Sequence, residues 1–166
     1  IKGYEEAKLT SDFIDRAISH LQKMNKEVLE EVRSSVEQKT FDSFKKLHWD
    51  SAEYSKFTID KEYNMSLKDL EGNERIFNIA SGTKQVLLLS FIGALSGVSG
   101  FRFPIFIDTP LANTDNEQRN NIAVNLPNYL KGNQVILLMK DQEYTPKFRT
   151  TISKSVSQEF KFEKKK

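Results

Sequence analysis

The spacing of apolar positions changes repeatedly along this chain, and each change marks a new element. Over 12–47, Ile14, Ile18, Leu21, Val28, Val32 and Val36 recur mostly at intervals of three, four and seven, with charged residues between them. That is the pattern of an amphipathic helix. Neither Gly nor Pro interrupts the stretch, which predicts one or two long helices with Ser11 or Asp12 as the N-cap. Such a helix is either packed on its own domain or is the returning strand of a coiled coil that leads into a globular head. Beyond Val36 the apolar residues turn bulkier, at Phe41, Phe44, Leu47 and Trp49, which predicts the start of a core.

Over 54–77 the period drops to two. Phe57 and Ile59, then Tyr63, Met65 and Leu67, alternate with polar residues. Glu71-Gly72-Asn73 supplies a turn and Arg75-Ile76-Phe77 opens a further strand, giving an antiparallel hairpin or meander. The stretch 79–85, IASGTKQ, then leads into an apolar helix through Val86, Leu87, Leu88, Leu89, Phe91, Ile92, Ala94 and Leu95. Ser81-Gly82-Thr83 reads as its N-cap, and a helix start with small residues and free N–H groups also suits an anion. Gly97, Ser99 and Gly100 end the helix.

The stretch 104–115, PIFIDTPLANTD, organises the rest. Ile105, Phe106 and Ile107 run straight into Asp108, which predicts a short buried strand in a parallel sheet. An acid at the carboxyl end of such a strand stands where open α/β sheets bind ligands. Asp115 follows after the turn-prone Ala112-Asn113-Thr114. A helix is expected over 117–130, interrupted or ended near Pro127, and then a second buried strand over 134–139 that ends in Lys140-Asp141. Thr145-Pro146 breaks the chain. The remainder, with Ile152, Val156 and Phe160, fits a last strand or a short helix.

Composition narrows this α/β picture. A chain of 166 residues suits one domain with a real core. Its 38% apolar and 29% charged content is slightly polar, which fits a long solvated helix or an exposed tail. A net charge of +2 gives no argument for nucleic acid. Only the stretch 161–166 is distinctly basic, and it reads as a frayed terminus. Without cysteine there are no disulfides or thiolate metal sites, which suits a reducing, cytoplasmic setting. His20 and His48 are too few and too far apart for zinc. No apolar run approaches the ~20 residues of a membrane span, and no leader opens the chain. The first residue, Ile1, is expected to be the cut end of a fragment or processed piece.

Taken in order, a Ser-Gly helix start, a strand ending in Asp, a short loop with a second Asp, and a strand ending in a polar pair resemble the signature, Walker B, D-loop and switch of a P-loop ATPase. Placed after a coiled-coil-like helix and a β-hairpin or meander, they resemble the C-terminal half of an SMC-type ABC ATPase head. Asp108-Thr109-Pro110-Leu111 with Asp115 and Arg119 further resembles the DndD-type, DNA sulfur-modification-associated ATPases. The likeness covers roughly 28–145. It implies a coiled-coil base and leading helix over 1–50, and the C-terminal lobe of the head over 51–166.

The resemblance also implies ATP and Mg2+ as cofactors. Ala80, Ser81, Gly82, Thr83, Lys84 and Gln85 belong to the implied signature, which reaches the γ-phosphate of ATP on a partner head. Asp108 is the implied Walker B acid at the magnesium water shell, followed by Thr109 at the water-activating position. Asp115 is the implied D-loop acid at the dimer interface, and Lys140, with Asp141 beside it, takes the switch position. The implied partners are an N-terminal half carrying the phosphate loop, a second head as a homodimer, DNA through the whole assembly, and accessory proteins; no membrane is implied.

Several residues depart from the family pattern. Ala80 stands where a phosphate-contacting serine is expected, with Ser81 next to it. Thr83 replaces an acid, Thr109 the usual glutamate, and Lys140 a common histidine. These changes predict slow or partner-dependent hydrolysis, or a degenerate head that dimerises without turnover. No G-x-x-x-x-G-K-[ST] phosphate loop occurs in the sequence, so this chain alone is expected to bind ATP poorly. A third reading gathers Asp108, Asp115 and Asp141 around Mg2+ as a phosphoesterase or nuclease.

Overall fold

The computed structural model describes residues 2–112 and 114–162. It divides into two compact units, Ile1–Ser35 and Val36–Lys166. The described residues of the first are all helix, the early part of α1 (Lys2–Leu47). Ser11 and Asp12 therefore lie inside the helix and do not cap it, because Glu5-Glu6-Ala7-Lys8-Leu9 is a run of strong helix formers with no breaker. The predicted stripe is present but uncovered: Ile14, Ile18, Leu21, Val28 and Val32 remain 43–65% exposed. A stripe left open in this way has the pattern of a coiled-coil seam.

In the second unit the last turns of α1 contribute Val36, Phe44 and Leu47 to a single apolar core. The strands β1 (Tyr54–Ile59) and β2 (Met65–Asp69) pair antiparallel, with Phe57 opposite Leu67 and a bulge between Tyr54 and Lys56. Tyr54, Phe57, Ile59 and Leu67 are buried. The same five-residue turn closes the hairpin and follows it. Asp60 Oδ1 accepts from the N–H groups of Glu62 (2.9 Å) and Asn64 (2.8 Å), and Asp69 Oδ1 from those of Glu71 (3.0 Å) and Asn73 (2.8 Å).

The third strand predicted at 75–77 does not form. A lone bridge joins Lys68 and Glu74, and the Glu74 carboxylate accepts from the N–H groups of Leu67, Arg75 and Ile76 at 3.0–3.1 Å and from the Ser66 hydroxyl. Arg75 N–H also donates to the Leu67 carbonyl at 2.7 Å, but the chain then turns, Asn78 N–H donating to the Arg75 carbonyl at 2.8 Å, and Phe77 ends up 81% exposed.

Next come α2 (Ser81–Ser99), β3 (Ile105–Asp108), α3 (Asn116–Tyr129), β4 (Val135–Leu138) and α4 (Pro146–Ile152). Gly100 at φ 70° closes α2 in the left-handed region, where glycine carries no Cβ penalty. β3 and β4 form a two-stranded parallel sheet in which Asp108 pairs with Leu138. Both strands were expected to be buried, yet Phe106 is 67% and Leu138 44% exposed, because no further described strand or helix covers that face. α3 ends near Pro127, at Tyr129; the proline falls in the last turn, where its missing N–H removes only one helical bond. Thr145-Pro146 starts α4, with the Thr145 hydroxyl accepting from Phe148 N–H at 3.3 Å and Pro in the first turn. The last stretch is thus a short helix and a 3-10 turn (Ser153–Ser155). The basic tail lies, from residue 163 on, outside the described residues, as does Asn113 of the predicted turn.

One side chain from α3 finishes α1. The Gln118 amide is 3% exposed; its Nε2 donates to the Leu47 carbonyl, while its Oε1 accepts from His48 Nδ1 (2.7 Å) and Trp49 N–H (3.3 Å). Asn121 and Asn125, one and two turns on, reach the Lys46 carbonyl at 3.4 and 3.5 Å. Free carbonyls at a helix C-terminus need such partners. Gln118→Ala leaves buried donors and acceptors unpaired and should cost about 1–3 kcal/mol in urea unfolding, against under about 1 kcal/mol for the half-buried Asn125→Ala, whose bond to Lys46 is long.

Burial works against charge at Asp69 and Glu74, but it is outweighed. At Asp69 the opposing bonds come from Asn73 and Glu71 with help from Arg75, and at Glu74 from Ser66 and three N–H groups. Both carboxyls are held below their ordinary values. A depressed folded-state pKa gives stability that is present above the unfolded pKa and lost as pH falls through the folded one. Unfolding free energy should therefore be level above about pH 5 and fall below about pH 4, with a shallower fall in Glu74→Gln.

Candidate functional site

The site is built at the N-terminus of α2 and the carboxyl ends of β3 and β4. Ala80 is the N-cap of α2 (ψ 152°), and no side chain caps the helix. The expected Ser81-Gly82-Thr83 cap fails because Ser81 is already helical, so its hydroxyl is past the capping position. The first N–H groups of α2 are therefore left without a side-chain acceptor, at the positive end of the helix dipole. Ser81 and Lys84 are exposed, and Gly82 and Thr83 are buried.

A cleft of about 340 Å³ opens there, lined by Ala80, Gly82 and Thr83 from the start of α2, Thr114, Asp115 and Gln118 from the start of α3, and His48, Trp49, Tyr54 and Arg75. The signature-like stretch and Asp115 thus meet on one surface. Asp115 caps α3, its Oδ1 accepting from Gln118 N–H at 2.7 Å. Burial, and then the Glu53 carboxylate, push the Tyr54 hydroxyl above the ordinary phenol value, with Arg75 and Thr83 acting in the opposite direction.

Asp108, Thr109 and Lys140 lie outside this cleft, where β3 and β4 end. Asp108 is exposed. Thr109 donates its N–H to the Leu138 carbonyl (2.8 Å) and adopts φ 46°, a left-handed conformation that is costly for a β-branched residue. Gln85 joins the two groups: its Nε2 donates to the Thr109 carbonyl at 2.7 Å. Lys140 is exposed, and its N–H donates to Glu143 Oε2 at 3.0 Å.

No family model and no curated protein matches this chain. Solved structures do. An SMC head domain with a coiled coil and joint from Pyrococcus yayanosii superposes with a TM-score of 0.70 at 17% identity over 92% of this chain. The SMC head of Pyrococcus furiosus, with an extended coiled coil and bound to the C-terminal domain of ScpA, gives 0.65 at 16% over 87%.

The fold is that of an SMC head domain. The chain spans only 29% and 35% of those two structures. A third match, to a structure described for ATP-driven dimerization and DNA-stimulated activation of SMC ATPases, has a TM-score of 0.55 at 16% identity and covers 80% of this chain and 78% of the other. No helix among the described residues is long and apolar enough to cross a membrane.

Sequence reasoning passed over three side chains in this SMC-head fold. Gln118 lies just inside the helix expected over 117–130, His48 lies just past the helix expected over 12–47 and enters there only as a candidate zinc ligand, and Glu143 lies in a loop with no pattern. The Thr109 strain gives a direct test: Thr109→Gly should raise the unfolding free energy by about 1 kcal/mol in urea titration, although threonine is the larger side chain.

Proposed function

We propose that this chain is the C-terminal half of an SMC-like ATPase head that binds and hydrolyses ATP between two dimerised heads. The carrying observation is an exposed Asp108 at the carboxyl end of β3, joined through the Gln85–Thr109 bond to the uncapped start of α2, in an SMC-head fold. In this reading the N–H groups of Ser81, Gly82 and Thr83 receive the γ-phosphate of nucleotide held by the other head. Ala80 and Lys84 flank that contact, Gln85 fixes the turn behind it, and Asp115 faces the partner head from the start of α3.

Magnesium suits Asp108. The ion is commonly held by one or two carboxylates plus phosphates and water, and a lone strand-end acid provides that much. When bound, it supplies neutralisation of phosphate charge. Asp108 would then accept hydrogen bonds from the ion's water, and Lys140 would present a cation to the phosphates. The alternative of three acids holding the metal finds no support: among the described residues no three acids or histidines gather, and Asp115 Oδ1 is already taken by Gln118 N–H.

The phosphate loop is absent from these 166 residues, so this reading requires a second segment that carries it. The exposed face of β3 and β4 and the open stripe of α1 are the surfaces expected to meet that segment and its helix. By analogy with SMC ATPases of ATP-driven dimerization and DNA-stimulated activation, a homodimer of heads, contact with DNA through the assembly, and accessory proteins of the kind bound to the P. furiosus head belong to the proposal. The Asp-Thr-Pro-Leu turn supports a DndD-type role in DNA modification, defence or repair. A degenerate head without turnover is the second reading, favoured by the absence of a side-chain oxygen at Ala80.

Co-expression with the phosphate-loop segment tests the first reading. The pair should hydrolyse ATP in a magnesium-dependent way, and Asp108→Ala should lower kcat by about 100-fold or more. A pair that binds ATP and dimerises but shows no turnover would establish the degenerate head instead.

A further inference from the structure

Glu143 holds a carboxylate that is 3% exposed. Among the described residues its side chain makes no ion pair; its partners are two backbone donors. Oε1 accepts from Leu111 N–H at 2.8 Å and Oε2 from Lys140 N–H at 3.0 Å. Leu111 follows Asp108 by three residues, and Lys140 stands just past the end of β4. One side chain therefore ties the loop after β3 to the loop after β4.

A neutral side chain would not make the same link. Burying a charge is costly, and a glutamine there would offer one acceptor oxygen while setting its NH2 against the second N–H. A carboxylate presents two acceptors at once, and bonds to a charged group are the stronger kind. The same turn is gripped from its other side by Gln85 Nε2 on the Thr109 carbonyl. Between these two ties Pro110 and Leu111 are fully buried, so the 109–111 turn has little room to relax.

The geometry points to Glu143 as a positioning residue that locks the turn after Asp108 to the turn beginning at Lys140, so that both functional ends hold one arrangement during hydrolysis. This rests on the ATPase-head reading. Glu143 touches no reacting group in that role; it acts through the backbone on either side of it.

Two measurements on Glu143→Gln, with Glu143→Asp as a second variant, separate the inference from that reading. The first is amide hydrogen exchange at Leu111 and Lys140 in this chain. Both amides should be protected in the wild type and should exchange at least about tenfold faster in either variant, the effect of losing one hydrogen bond of ordinary strength. The second is magnesium-dependent ATP hydrolysis by the variant chain paired with its phosphate-loop segment. Here kcat should fall about 10- to 100-fold with KM unchanged, as expected when catalytic geometry rather than binding is disturbed.

Unprotected Leu111 and Lys140 amides in the wild type overturn the inference, and that result needs no variant to fold. A folded Glu143→Gln that matches the wild type in kcat and KM overturns it as well. If the wild-type pair shows no hydrolysis, the ATPase reading falls, and the lock is then judged on the exchange data alone.

Discussion

Parallel pairing of β3 with β4 is the constraint on which the rest of this molecule depends. Because the strands run the same way and in register, with Asp108 opposite Leu138, their carboxyl ends emerge together and both following loops start from one edge. Thr109 N–H on the Leu138 carbonyl continues the ladder by one residue, and Glu143 then bridges the two loops just beyond it. An antiparallel pairing would send Lys140 to the opposite end from Asp108. The chemistry assigned to this site therefore follows from strand direction before it follows from any side chain.

The same sheet is also where the structure is least complete. Two parallel strands do not ordinarily stand with one face in water, because parallel sheets are covered on both faces. Here Phe106 and Leu138 are exposed on one side while Ile105 and Ile107 are buried on the other. The stripe of α1 is open in the same sense, with apolar residues at helical spacing and no covering partner among the described residues. Both features indicate surfaces made to be covered, and both agree with the chain spanning about a third of the SMC heads it superposes on.

Much of this was legible in the sequence because the governing patterns are local. A period near 3.6 over 12–47, a period of two over 54–67, and short apolar runs ending in Asp108 and Lys140 each mark an element whose side chains decide it alone. The failures share a different cause. The strand expected at 75–77 stops at a single bridge because the chain turns there, with Asn78 N–H on the Arg75 carbonyl. The cap expected from Ser81 is lost to a boundary shift of one residue. Glu143, Gln118 and His48 each have a partner 32 to 71 positions away, and no spacing rule reports contacts of that range.

The central claim is that this chain supplies half of a composite nucleotide site. Its most direct test is equilibrium binding of ATP with magnesium to the chain alone, to the phosphate-loop segment alone, and to the two together. The account predicts weak, unsaturated binding by this chain and tight, magnesium-dependent binding that appears with the phosphate-loop segment and strengthens when both are present. Tight binding by this chain alone, or a pair that binds no better than its parts, would contradict it.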